Sequence, residues 1–374
     1  MKCFISIGKV DKSIFFPIAG GVLNFFLKML TTETSIKEYP LMQTFSCFLG
    51  MFLSLFLFII YKIKNKEFFS KKAHQAPKSK LMIQLEYNDR LEEIQYHKYL
   101  YIIISGLLAF IFIFLTYKYI IEVRVNFWIF NIFFIYIFSF FFFKIKLYRH
   151  QFLCMIIFIV LGIIFDIYIG VHDEYINFNR NNIGLISLKL IIEIIFSLMM
   201  VINKYIVEIK YTSVYEISFY QGTIGLVITI IFLIIMPNDF KEYWKDIDIR
   251  EVFSFLAIVI LNLIYNIFLL ITMRDYSTFH ILISIIISEM QPFIEDVKKI
   301  GWDFLIIFIV FNIILFLLLI FIEVFELNFC GLQNNTKKNI QKRALLEEKN
   351  IKQNDDNDND NIFENDDEDL NNNE

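Results

Sequence analysis

The chain has 374 residues, 57% hydrophobic and 18% aromatic, with a formal net charge of −4 and a mean hydropathy of +0.57. Soluble domains lie nearer roughly 45–50% apolar, so a single water-soluble globule is excluded. The net charge misleads, because much of the acid sits in the C-terminal segment and the rest of the chain is basic.

The apolar residues fall in runs long enough to cross hydrocarbon, which takes about 20 helical residues. The first stretch, MKCFISIGKVDKSIFFPIAGGVLNFFLKML, has no convincing small-x-small cleavage site and reads as a retained span. Ten spans are predicted at roughly 12–30, 41–61, 98–117, 126–143, 150–170, 184–206, 214–236, 250–273, 279–297 and 302–326. One long polar loop, 62–97, interrupts them. It carries Lys62, Lys64, Lys66, Lys71, Lys72, Lys78, Lys80 and Arg90, and KLMIQLEYNDRLEEIQYHKY within it could lie as an interfacial helix. Beyond the last span, 327–374 ends in NDDNDNDNIFENDDEDLNNNE. Such a segment cannot bury enough apolar surface to offset its ordering entropy and is expected to be disordered.

With the N-terminus in the cytosol, most Lys and Arg fall on the cytosolic side, including the 62–97 cluster, Lys144, Lys146, Arg149, Lys204, Lys210 and Arg274. Both termini are then cytosolic and the number of spans is even. The trios 98–170 and 250–326 echo one another in length and turn pattern. Halves of five spans each would have opposite orientation, the inverted repeat of many secondary transporters. The halves are placed at 1–170, including the cytosolic loop 62–97, and at 184–326.

A charge near the bilayer centre costs at least about 2.5–3.5 kcal/mol, so each one asks for a partner or a function. Glu193 lies near the middle of the sixth span with Lys189 one turn earlier on the same face. The pair reads as a proton- or solute-binding site, or as a structural ion pair. In the ninth span His280, Ser284, Ser288 and Gln291 form one polar stripe, with Glu289 about 100° off it. This stripe lines a wet cavity or marks close helix packing. Asn262 and Asn266 in the eighth span, and Gly20, Gly21 and Asn24 in the first, orient a solute or serve packing. Ser213-Val214-Tyr215-Glu216 fits a capping box opening the seventh span. Tyr220 and Gln221, a turn further in, are candidates for the cavity. Lys28, near the outer end of the first span, could add a second cation. The midplane balance leans acidic, which favours a cationic, zwitterionic or neutral solute over a nucleotide sugar, whose diphosphate would want Lys or Arg.

The stretches NKYIVEIKYTSVYEISFYQGTIGL (203–226), KLYRHQFLCMIIFIVLGIIFDI (146–167) and IYNIFLLITMRDYSTFHILI (264–283) resemble the sixth-to-seventh, fourth-to-fifth and eighth-to-ninth helix junctions of the drug/metabolite transporter superfamily. Its EamA-type and nucleotide-sugar-transporter-like members are the nearest likeness. The resemblance covers roughly 12–326. It implies ten helices in two inverted five-helix halves around a central cavity with alternating access, and no particular substrate.

The four cysteines, Cys3, Cys47, Cys154 and Cys330, form no CxxC pair, so neither a disulfide framework nor a zinc site is inferred. No P-loop, G-x-S-x-G or H-E-x-x-H occurs, so an enzyme is not expected, and no cofactor or metal is called for. The sequence therefore reads as an all-α polytopic membrane protein that carries a small solute, with proton coupling as an option. The alternative is a non-transporting scaffold that recruits partners through the 62–97 loop and the tail. Expected partners are the lipid bilayer, the solute and, as an open option, a second copy in a homodimer, with no nucleic acid. The site is an endomembrane of the Golgi or ER, or the plasma membrane.

Overall fold

The computed structural model describes residues 4–7, 14–73, 97–119, 127–144, 147–172, 180–210, 212–245, 248–289, 302–322 and 325–328. Among them are eleven α-helices, joined by short 3₁₀ turns and one two-stranded ribbon. They are α1 (Phe15–Glu33), α2 (Pro40–Ala73), α3 (Lys98–Tyr119), α4 (Asn131–Phe143), α5 (Arg149–His172), α6 (Arg180–Glu208), α7 (Val214–Ile235), α8 (Asn238–Lys245), α9 (Ile249–Asp275), α10 (Ile281–Ser288) and α11 (Trp302–Phe321). Strands β1 (Phe4–Ile7) and β2 (Phe325–Asn328) pair antiparallel, with Phe4 opposite Asn328.

Six helices, namely α1, α2, α3, α6, α7 and α9, are long and apolar enough to cross a membrane. Shorter apolar stretches fall at Asn131–Phe143, Arg149–Ile164, Thr278–Ser288 and Ile309–Phe321. The chain is a multi-pass membrane protein on this ground. Its outward faces agree: Phe152, Leu153, Ile156, Ile157 and Val160 of α5 are all exposed. Water would not tolerate so continuous an apolar surface, whereas lipid does.

Local chemistry sets several helix boundaries. The Ser213 hydroxyl accepts from the Glu216 N–H at 3.1 Å and opens α7, which is one half of the predicted capping box; the Glu216 carboxylate accepts from Lys98 at 2.7 Å. Asp248 accepts from the Ile249 N–H at 2.7 Å and opens α9. Three boundaries differ from the expectation. The α2 helix runs to Ala73, well past residue 61, because YKIKNKEFFSKKA contains no helix breaker. The last helix ends at Phe321 rather than 326. Residues 327–328, assigned to the tail, belong to β2. Residues 80–96 of the amphipathic segment, residues 290–297 of the ninth predicted span with Gln291, and the tail from 329 lie outside the described residues.

Helices from early and late in the chain interleave. The α2 and α7 helices cross at the centre, with α9 also against α2 and α3 also against α7. The α1 helix packs on α9 and α10, α6 packs on α3 and α4, and α5 packs on α11. At the central crossing Gly222 stands where a Cβ would lie 2.3 Å from the Phe52 backbone nitrogen, so the helices meet backbone to backbone. At the end where α1 finishes and α2 begins, a second apolar cluster gathers Leu27, Ile36, Met42, Tyr243, Phe255 and Val259. It seats the short helix α8.

Candidate functional site

The charged residues predicted inside the spans converge. From α1, Lys28 donates to Glu289, just past the end of α10, at 2.6 Å. The two side chains keep 33% and 23% of their surface accessible, so the pair is not sealed. From α6, the Glu193 carboxylate accepts from the Asn131 amide of α4 at 2.8 Å. The Asn131 carbonyl in turn accepts from the Ser197 hydroxyl at 2.8 Å. Glu193 feels the charges of Lys189, Glu289 and Lys28. These groups therefore form one electrostatic cluster of two ammoniums and two carboxylates. Lys189 is buried within it.

The cluster continues through hydroxyl and amide groups. Asn24, one turn before Lys28 on α1, donates to the Tyr265 hydroxyl of α9 at 3.3 Å. Tyr265 lies beside Ser284, Cys47 and the Glu289 charge, and Tyr117 of α3 reaches the same place. Glu193, Tyr265 and Tyr117 are each half-buried.

The remaining sequence candidates lie elsewhere. Ser288 donates back to the Ile285 carbonyl at 2.9 Å, and Asn262 donates back to the Ile258 carbonyl at 3.0 Å, so both are satisfied within their own helices. Asn266 donates to the Ser218 hydroxyl at 2.8 Å and ties α9 to α7. Gln221 donates to Ser105 at 2.6 Å and to Asn203 at 3.0 Å, a buried knot between α3, α6 and α7. Tyr220 stacks edge-on with Tyr99, beside the pair in which Lys98 donates to Glu216 at 2.7 Å. Ser284 serves both readings. Its hydroxyl lies 3.2 Å from where a Cβ on Gly20 would stand, which marks close packing of α1 on α10, and it also borders Tyr265.

Sequence reasoning missed Asn131, Ser197, Tyr265, Tyr117 and Cys47. Asn131 carried a readable signal, being an amide inside NIFFIYIF. The tyrosines carried almost none, because in a chain with 45 Phe and 19 Tyr an aromatic reads simply as apolar.

Where α6 and α9 finish, the two helices are tied together. Lys204 of α6, itself buried, donates to the carbonyls of Met273 at 2.6 Å and Tyr276 at 3.0 Å, and pairs with Glu208 at 3.3 Å. It thereby satisfies the free carbonyls at the C-terminus of α9, where a cation also complements the helix dipole. Next to this tie, Ser277 and the His280 Nδ1 are 2.8 Å apart. No protein-family model matches the chain, and no curated protein matches it.

Proposed function

We propose that the protein is a secondary-active carrier of a small solute, working by alternating access between two inverted five-helix halves. The observation that carries the reading is the charge cluster: Lys28 of α1, Lys189 and Glu193 of α6 and Glu289 at the end of α10 gather where lipid would otherwise forbid them, and in this reading they line the solute cavity. Intramembrane charges gathered in a wet cavity mark solute or ion pathways. A scaffold has no use for them.

The helix pairing supports the repeat. Let α1, α2, α3, α4 and α5 correspond to α6, α7, α9, α10 and α11. The pair α1–α9 then becomes α6–α3, α1–α10 becomes α6–α4, and α2–α9 becomes α7–α3, each of which packs. The pairs α2–α7 and α5–α11 map onto themselves. Ten spans follow, with α4, α5, α10 and α11 completing the set and α8 lying at the interface. The β1–β2 ribbon brings the two ends of this helical set to one side, as an even number requires. The symmetry is incomplete: α10 packs on α9 and α11 without counterparts between α4 and α3 or α5, and α6 is tied to α9 through Lys204, while the corresponding α1 and α3 are not closely packed. The cavity therefore opens toward the end where α1 and α3 finish. The resemblance to the drug/metabolite transporter superfamily is consistent with this arrangement, and the electrically balanced cavity disfavours a nucleotide sugar.

Flux into proteoliposomes of the full chain tests the reading, with a panel of amino acids, polyamines, sugars and drug-like cations. At least one class enters faster than into protein-free vesicles, and Glu193→Gln or Glu289→Gln abolishes entry while gel filtration shows an intact fold. Flux of no class, or flux indifferent to both substitutions, overturns it and favours the scaffold.

A further inference from the structure

The charge arithmetic of the cavity narrows the solute, given the carrier reading above. Lys28 is bound to Glu289 at 2.6 Å, on partly accessible side chains. Glu193 is engaged by Asn131 and lies in the field of both lysines and of Glu289. The four formal charges cancel. In a low-dielectric cavity an unpaired charge is expensive, so any occupant is constrained by what it leaves bare.

Three cases differ. A solute bearing only a cation reaches Glu289 by displacing Lys28, and leaves that ammonium uncompensated. A solute bearing only an anion reaches Lys28 and strands Glu289. A solute bearing both separates the pair and re-pairs each half, its ammonium on Glu289 and its carboxylate on Lys28. Only the third exchange keeps every charge matched. We infer that Lys28 acts as a tethered stand-in for the solute's ammonium at Glu289, and that the cavity takes a zwitterion with a primary or secondary ammonium and a carboxylate. The Tyr265 and Asn24 groups beside the pair supply the neutral hydrogen bonds that orient it.

Three forms of one compound set test this: the amino acids with neutral side chains, their methyl esters, which are cations, and their N-acetyl derivatives, which are anions. The readout is the thermal midpoint of the purified full chain, which rises with a ligand that binds the folded state. Wild type responds to the free amino acids and not to the blocked forms. Lys28→Met leaves Glu289 bare and switches the response to the methyl esters. Glu289→Gln leaves Lys28 bare and switches it to the N-acetyl forms. In each variant the free amino acids weaken roughly tenfold, between the few-fold effect of an exposed pair and the roughly thirtyfold of a desolvated one, as befits a partly accessible pair. Lys28→Arg, which keeps the charge, keeps the wild-type preference, so a response lost through misfolding is distinguishable. A wild-type response to an ester, an N-acetyl form or a sugar, without one to the free amino acids, overturns the zwitterion assignment and leaves the carrier reading standing. No response to any form, with flux of some other solute into vesicles, does the same. No response and no flux removes both.

Discussion

Replacing Gly222 with alanine sets a methyl group against the backbone of α2. That Cβ would lie 2.3 Å from the Phe52 nitrogen and 2.7 Å from both the Met51 carbonyl carbon and the Phe52 Cα. Ordinary contact begins at 3.4 Å, so α2 and α7 must part by about 1.1 Å (3.4 minus 2.3). No side chain can swing aside to relieve the contact, because every neighbour is backbone. Overpacking of this kind costs ~1–3 kcal/mol, and the rigid neighbours place it at the upper end. The gain in helix propensity from Gly to Ala returns up to ~1 kcal/mol, leaving about 2 kcal/mol. At ~2.1 cal/mol/K per residue over the 374 residues, that lowers the unfolding midpoint by roughly 2–3 °C. The control is Gly184→Ala on α6, where a Cβ meets nothing within 4 Å; its midpoint stays at or slightly above wild type. The assay is thermal unfolding of the detergent-purified protein, followed by loss of the monodisperse gel-filtration peak. If Gly222→Ala and Gly184→Ala melt together, α2 and α7 do not cross at this spacing and the reasoning fails.

Three further outcomes follow from the geometry. Ser213→Ala removes the acceptor for the Glu216 N–H and costs ~1 kcal/mol; hydrogen exchange in the first turn of α7 should quicken while α9 is unchanged. Lys204→Met strips the donors from the Met273 and Tyr276 carbonyls, so exchange at residues 273–280 rises and Lys204→Arg restores part of the protection; equal exchange in wild type and Lys204→Met would show that the tie is not formed. Burial, with the Glu251 charge adding, pushes the Tyr243 phenol of α8 up to about 12. Its neutral form is thus favoured in the fold, and its stabilisation is whole below about pH 10, the unfolded value, and lost as pH rises through about 12. Tyr243→Phe should lose less thermal stability than wild type over that alkaline window.

Much of the outline was legible locally. An apolar run of about twenty residues is a property of consecutive side chains, so six of the predicted spans coincide with helices long and apolar enough to cross a membrane, and the other four overlap shorter apolar helices, the ninth only over Ile281–Ser288. Caps were equally local: Ser213 and Glu216 are three residues apart, and the bond between them is the one their spacing predicts. Glu193, Lys189 and Glu289 stood out because a charge in an apolar run is costly wherever the run folds.

What faces each residue was not legible. Helical periodicity says which side chains share a face, not what that face meets. Ser284 and Ser288 sit on one stripe, yet one borders Tyr265 while the other bonds back to its own helix. Asn262 and Asn266 are one turn apart, yet one is satisfied at home and the other ties α9 to α7. The decisive pair, Lys28 with Glu289, joins residues 261 apart in the chain. Asn131 reaches Glu193 across 62. The sequence by itself determined where the chain must be apolar and helical, because those costs are charged residue by residue. Only the tertiary structure decided which charges meet, because that depends on which helices lie side by side, and no local preference encodes it.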